Sequence, residues 1–193
     1  RGQLGDGTTV DRSQPVEVVD SGVVAVTAGG YHSLFIKADG SLWAMGANNL
    51  GSLGDGTNED RLSPVKVVDN GVVAVTAGKY HSLFLKEDGS VWTMGHNTGF
   101  QLGDGTNQNR ISPVKVVDGE VIDLAAGGAH SLVVKSDGSL WVTGRNYYGE
   151  LGLGDTSNRS SPVQVLSSGV ASLAGAGFLG SIPVFTSLDG NAT

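Results

Sequence analysis

His32-Ser33-Leu34-Phe35-Ile36-Lys37-Ala38-Asp39-Gly40-Ser41-Leu42-Trp43-Ala44-Met45-Gly46 reads as two short apolar runs around an Asp-Gly turn. The runs have the length and alternation of β-strands, and nothing in the chain keeps an i, i+3, i+4 pattern long enough for a helix. Asp-Gly between such runs predicts a type I′ hairpin with positive φ at both central residues. Residues 32–37 and 41–46 are therefore expected as antiparallel neighbours. Outward on one side lies VVAVTAG (23–29), a small-residue strand; on the other, across the loop 47–63, lies PVKVV (64–68).

The same phrase returns every 49 residues. Asp39-Gly40 becomes Asp88-Gly89 and Asp137-Gly138; Trp43 becomes Trp92 and Trp141; His32 becomes His81 and His130. Leu4, Leu53, Leu102 and Leu151 open near-copies of one loop, and Arg12, Arg61, Arg110 and Arg159 close it. Periods of roughly 20–50 residues mark repeat architectures, because one unit buries its apolar face only when a neighbour stacks on it. The 31 glycines sit at fixed places in the period, as tight turns require.

Four strands in a meander, repeated, describe an all-β fold: a β-propeller of four-stranded antiparallel blades. The Ala-, Gly- and Thr-rich strand is expected innermost, where blades crowd, and the proline-led strand outermost, where a missing N–H interrupts no ladder. Residues 1–193 are read as one array holding blades at 23–68, 72–117 and 121–166, a lone outer strand at 15–19 and a degenerate partial blade at 170–193. About four repeats of this kind predict an incomplete arc. Its open blade edges predict self-association. The three tryptophans are expected to be largely buried between blades, and Gly40, Gly89 and Gly138 to serve the hairpin turns.

Composition narrows the function. A formal charge of −7 argues against a nucleic-acid surface, which needs clustered Lys and Arg. With no cysteine there is no disulfide, thiolate nucleophile or cysteine-based zinc site. No stretch reaches the roughly 18 apolar residues of a membrane span. Nothing here fixes a cellular location.

The order A-G-x-x-H-S-L, D-G-S-L-W, G-x-N, G-x-L-G-D-G-T, R-x-x-P-V resembles the regulator of chromosome condensation repeat family over essentially the whole chain. The near-identity of successive units is most similar to bacterial or environmental members. The resemblance implies a propeller, with repeats of about 50 residues. It also implies a non-enzymatic protein-binding scaffold, with no cofactor and another protein as partner. Two alternatives accompany it: a guanine-nucleotide exchange activator of a small GTPase, and a structural array of a bacterial surface protein. In exchange factors of the family, histidines of this type line the partner face, which maps to His32, His81 and His130. The family's second aromatic on the third strand is replaced here by Met45, Met94 and Thr143.

Other chemical readings are weaker. Equivalent histidines in adjacent blades stand roughly 7–9 Å apart, too far to share a zinc ion unless the rings converge. The expected role of each is a hydrogen bond to a neighbouring loop. His32 and Ser33 are consecutive on a strand and point to opposite faces, so they form no dyad. The Leu-Gly-Asp-Gly-Thr loop lacks the Lys-Ser/Thr of a phosphate loop. Asp55, Thr57 and Glu59 lack the glycine and distal glutamate of a calcium loop. Asp55 with Arg61, and Asp104 with Arg110, are expected to form surface ion pairs.

Overall fold

The computed structural model describes residues 1–173 and 185–187. Three four-stranded antiparallel sheets follow one another. The first holds β1 (Val23–Ala28), β2 (His32–Lys37), β3 (Leu42–Gly46) and β4 (Arg61–Val68) in sequence order. The second holds β5 (Val72–Ala77), β6 (His81–Lys86), β7 (Val91–Gly95) and β8 (Arg110–Val117). The third holds β9 (Val121–Ala126), β10 (His130–Lys135), β11 (Leu140–Gly144) and β12 (Arg159–Leu166). Beyond them β13 (Val170–Leu173) pairs with β14 (Phe185–Ser187). The rest of the partial blade expected at 170–193, including Leu188-Asp189-Gly190, lies outside the described residues. These sheets are the blades of a propeller arc, and the described strands close no ring. Among the described residues no helix is long and apolar enough to cross a membrane.

Small residues put β1, β5 and β9 side by side as the inner strands. The core lies between blades: Leu34, Ile36 and Leu42 of the first pack against Val72, Phe84 and Met94 of the second. Leu83, Leu85 and Val91 then pack against Val121, Leu124 and Val133 of the third. Backbone bonds fix the step from blade to blade. The Val72 N–H donates to the Gly40 carbonyl at 3.0 Å, Val121 to Gly89 at 3.3 Å and Val170 to Gly138 at 3.1 Å.

Several expectations need correction. The Asp-Gly turn is not type I′: Gly40 has φ 75° while Asp39 is not among the positive-φ residues. The Gly40 N–H instead donates to the Lys37 carbonyl at 2.9 Å. Asp39 Oδ1 accepts from the Ser41 amide and hydroxyl, and Ser41 Oγ accepts from Trp43 Nε1 at 2.9 Å. Asp39 thus acts through its side chain, while glycine carries the left-handed conformation and leaves room for the next blade's Gly71 amide.

The fourth strand begins three residues before its proline, which falls in a bulge where register shifts between Ala44 and Gly46. Residues 15–19 carry no strand. Their counterparts at 64–68 are held by pairing with β3, and no described strand stands in that place for 15–19. The tryptophans are half-buried rather than buried. Trp92 and Trp141 pack on the preceding blade near the outer rim, where the wedge between sheets is widest.

Candidate functional site

The three repeated histidines are buried, so they form no exposed partner face. His32 Nε2 lies 2.8 Å from Ser82 Oγ, and His81 Nε2 lies 3.1 Å from Ser131 Oγ, each across a blade boundary. Each serine donates its own proton to a loop carbonyl, Ser82 to Ser52 at 2.8 Å and Ser131 to Gln101 at 2.7 Å. The serine oxygen must then accept from the imidazole, which fixes the neutral tautomer with its proton on Nε2. Gly29 and Gly78 are required because the ring occupies the space a Cβ would take. Burial lowers the pKa of His32 to about 4 and that of His81 to about 3. His130 is lowered too, first by burial, against the opposing pull of Glu150. Among the described residues no group of three His, Cys, Asp or Glu could share a metal ion.

The Asp-Gly-Thr loops are self-contained. Asn48, buried at the end of β3, accepts from the Leu53 amide at 3.0 Å and donates to Asp55 Oδ1 at 2.9 Å and the Thr57 carbonyl at 3.0 Å. Asp55 Oδ1 also accepts from Thr57, and Oδ2 takes Arg61 Nε at 2.6 Å. Burial would raise the Asp55 pKa, but the hydrogen bonds from Thr57 and Arg61 outweigh it and hold it below its usual value. The Asp-Arg pairing therefore closes each loop on itself. It builds the scaffold.

One set of differences between blades falls in the loop after the third strand. Around the invariant Asn48, Asn97 and Asn146, the loop after the third strand carries Ala47, His96 and Arg145; Asn49, Thr98 and Tyr147; Leu50, Gly99 and Tyr148; and Ser52, Gln101 and Glu150. Its first amide is tied to the hairpin beside it. Ala47 donates to the Tyr31 carbonyl, His96 to Tyr80 and Arg145 to Ala129, each at 2.9 Å. Tyr31 and Tyr80 stack at 5.6 Å with 13° between planes, and His96 meets the edge of Tyr80 at 6.2 Å. Lys79 Nζ lies 5.3 Å from the Tyr80 ring centre and Arg145 Cζ 5.8 Å from that of Tyr147. Tyr148 is 86% exposed.

These rings are held in place. The Gly99 amide bonds Gln101 Oε1, so Gln101 Nε2 donates to His96 Nδ1 at 2.8 Å, and His96 Nε2 donates to Thr98 Oγ1 at 2.7 Å. With both nitrogens engaged the ring is a post, not a base. Glu150 is buried beneath Arg145, 3.4 Å from its Nε, and accepts from the Tyr148 amide at 2.8 Å. Burial would raise the Glu150 pKa; those amide bonds and Arg145 outweigh it and lower it. The result is an aromatic face with two half-buried cations laid against its rings, suited to recognition by stacking and charge. Sequence reading missed it by attending to what repeats. The signal was what fails to repeat.

The Regulator of chromosome condensation (RCC1) repeat family matches residues 1–36, 39–85, 88–134 and 137–177. A second description of the same repeat matches 23–52, 72–101 and 121–150. No curated protein matches the chain. Among solved structures it is similar to human WBSCR16 at 27% identity, with a TM-score of 0.74 over 88% of this chain and 46% of that one. It is also similar to yeast RCC1 (Prp20) bound to Kap60, at 22% identity and a TM-score of 0.76, over 88% of this chain and 42% of that one. Prp20p from Saccharomyces cerevisiae gives 22% and 0.76 over 88% and 44%. The chain spans less than half the length of each.

Proposed function

We propose that this chain, which belongs to the regulator of chromosome condensation repeat family, is a non-enzymatic protein-binding scaffold that recognises its partner through the loop face around Tyr31, Tyr80, Arg145, Tyr147 and Tyr148. The observation that carries the reading is the contrast within each repeat. Most residues that turn, cap and pack are kept from blade to blade, while those of one surface loop change in size and charge at four positions. A packed framework presenting divergent aromatic loops is how repeat folds make specific contacts. The yeast Prp20p structure is described together with binding to Gsp1p and histones, and a second holds Kap60, so the fold serves protein partners elsewhere. The exchange-activator alternative follows from the same family resemblance, but His32, His81 and His130 are buried and supply no exposed contact for it.

The test is crosslinking from a photoreactive group at position 50 in wild type and in a chain whose residues Arg145, Tyr147, Tyr148 and Glu150 are replaced by the Ala, Asn, Leu and Ser of the first blade. A partner captured by the first and lost by the second, with equal thermal midpoints, supports the reading. An unchanged capture overturns it. Faster release of labelled GDP from a small GTPase would instead favour exchange activity.

A further inference from the structure

We propose that a slot between the second and third blades binds a single aromatic ring carrying a protonated amine, a ligand site separate from the loop face. In the first two blades a phenylalanine on the second strand pairs directly across from the tryptophan on the third: Phe35 with Trp43 and Phe84 with Trp92. The rings stack at 6.2 and 6.3 Å, each pair 3° from parallel. In the third blade Val133 pairs with Trp141, and the stacking ring is gone. A cavity of about 550 Å³ lies beside the unstacked indole, walled by Val116, Val117, Val133, Trp141 and Pro162. That lies within the roughly 300–1,000 Å³ range of small-molecule sites. A groove of about 600 Å³ also borders Trp43, but there Phe35 already holds the stacking position.

The mouth of the slot carries a second, independent departure from the repeat. Glu120 has φ 68° at a position where the other blades have Gly71 (φ 77°) and Gly169 (φ 95°). A side chain in the left-handed region is disfavoured, and an outlier of this kind is a pointer to function when a site lies beside it. Glu120 and Asp118 line the opening with side chains 75% and 93% exposed. The two lysines nearby are committed: Lys135 lies over the Trp141 indole at 5.4 Å and pairs with Glu120 at 3.7 Å, while Lys115 pairs with Asp118 at 2.8 Å. In both pairs the carboxylate is the more exposed partner, Asp118 at 93% against 45% for Lys115 and Glu120 at 75% against 25% for Lys135, so an incoming ammonium meets carboxylate first. An aryl ring would take the place that phenylalanine fills in the other blades, and an ammonium on a short arm would reach Glu120 and Asp118.

The experiment titrates the full chain with 2-phenylethylammonium while following the indole N–H signals, each assigned by its own Trp→Phe variant. Trp141 Nε1 is held by Ser139 Oγ at 2.9 Å, which makes it a localised reporter. The expected result is a saturable shift at Trp141 with the Trp43 and Trp92 signals still. Val133→Phe, which restores the ring, should abolish the shift and keep or raise the thermal midpoint; should it fail to fold, Val133→Leu narrows the same slot and should weaken binding. Glu120→Gly should weaken binding of the ammonium by about tenfold and leave 2-phenylethanol unaffected, as loss of one charge-assisted contact implies. Equal affinity in folded Val133→Phe, equal losses for both probes in Glu120→Gly, or no saturable shift at Trp141 would each overturn the site.

Discussion

His32 of the first blade and Ser82 of the second are joined by a 2.8 Å hydrogen bond, and Ser82 hands its own proton to the Ser52 carbonyl at 2.8 Å. One hydroxyl thus satisfies a buried imidazole N–H and a loop carbonyl while pinning two blades together. Ser131 does the same for His81 and Gln101. Ser82→Ala leaves both groups unpaired, each at a cost of about 1–3 kcal/mol. The expected loss is about 2–6 kcal/mol in urea unfolding. A loss below about 0.5 kcal/mol, ordinary for a surface site, would contradict the bridge.

Acid should loosen the same boundaries. The pKa values of His32 and His81 lie near 4 and 3 when folded, against about 6.5 unfolded, so the unfolded chain binds protons first. Stability is full above about pH 6.5 and falls as pH drops toward the folded values, by about 2 kcal/mol per ring at about pH 5. Asp55 and Asp104, lowered by their Thr and Arg partners against burial, add a loss of the same sign at lower pH. In His81→Gln the urea midpoint should vary less between about pH 7 and about pH 5 than in wild type. An identical slope in both proteins would show that the ring does not resist protonation.

Asn97 is the post of the second Asp-Gly-Thr loop, accepting from the Leu102 amide at 3.0 Å and donating to Asp104 at 2.9 Å and the Thr106 carbonyl at 2.9 Å. Removing it strands the buried Leu102 amide and takes the donor from the Thr106 carbonyl, while Asp104 Oδ1 keeps its bonds from Thr106. Asn97→Ala should cost about 3 kcal/mol or more, and Asn97→Asp should not restore it, because a carboxylate cannot donate. Recovery of full stability by Asn97→Asp would count against the donor role.

The first blade shows an apolar face that its successors cover. Val26 is 75% exposed on β1, while its counterpart Leu124 on β9 is 7% exposed and packs on the second blade. Large exposed apolar patches drive association. Sedimentation of the chain should show self-association that rises with concentration, and Val26→Lys should reduce it. A wild-type chain that stays monomeric across the range would falsify this expectation.

The strands, their antiparallel order and the repeat were legible in residues 32–46 and their copies, because strand alternation and turn chemistry act over a few residues and a period of 49 multiplies the signal. The sequence by itself thereby determined the blade and the stacking of blades. It did not determine what each kept residue does. His32 and Ser82 are 50 positions apart, and their bond exists only because one blade is rotated onto the next. The same distance in sequence hid the reason for Gly40, whose turn must also admit the next blade's backbone. The tryptophans were placed on the correct strand but given too much burial, since the width of the gap at the outer rim follows from how sheets diverge. Only the tertiary structure gathered Tyr31, Tyr80, His96 and Arg145 onto one face, and only there did the Phe-to-Val difference at position 133 leave Trp141 without a stacked ring in the groove between blades. Local rules fix local shape; a surface or cavity assembled from several repeats is decided by the contacts between them.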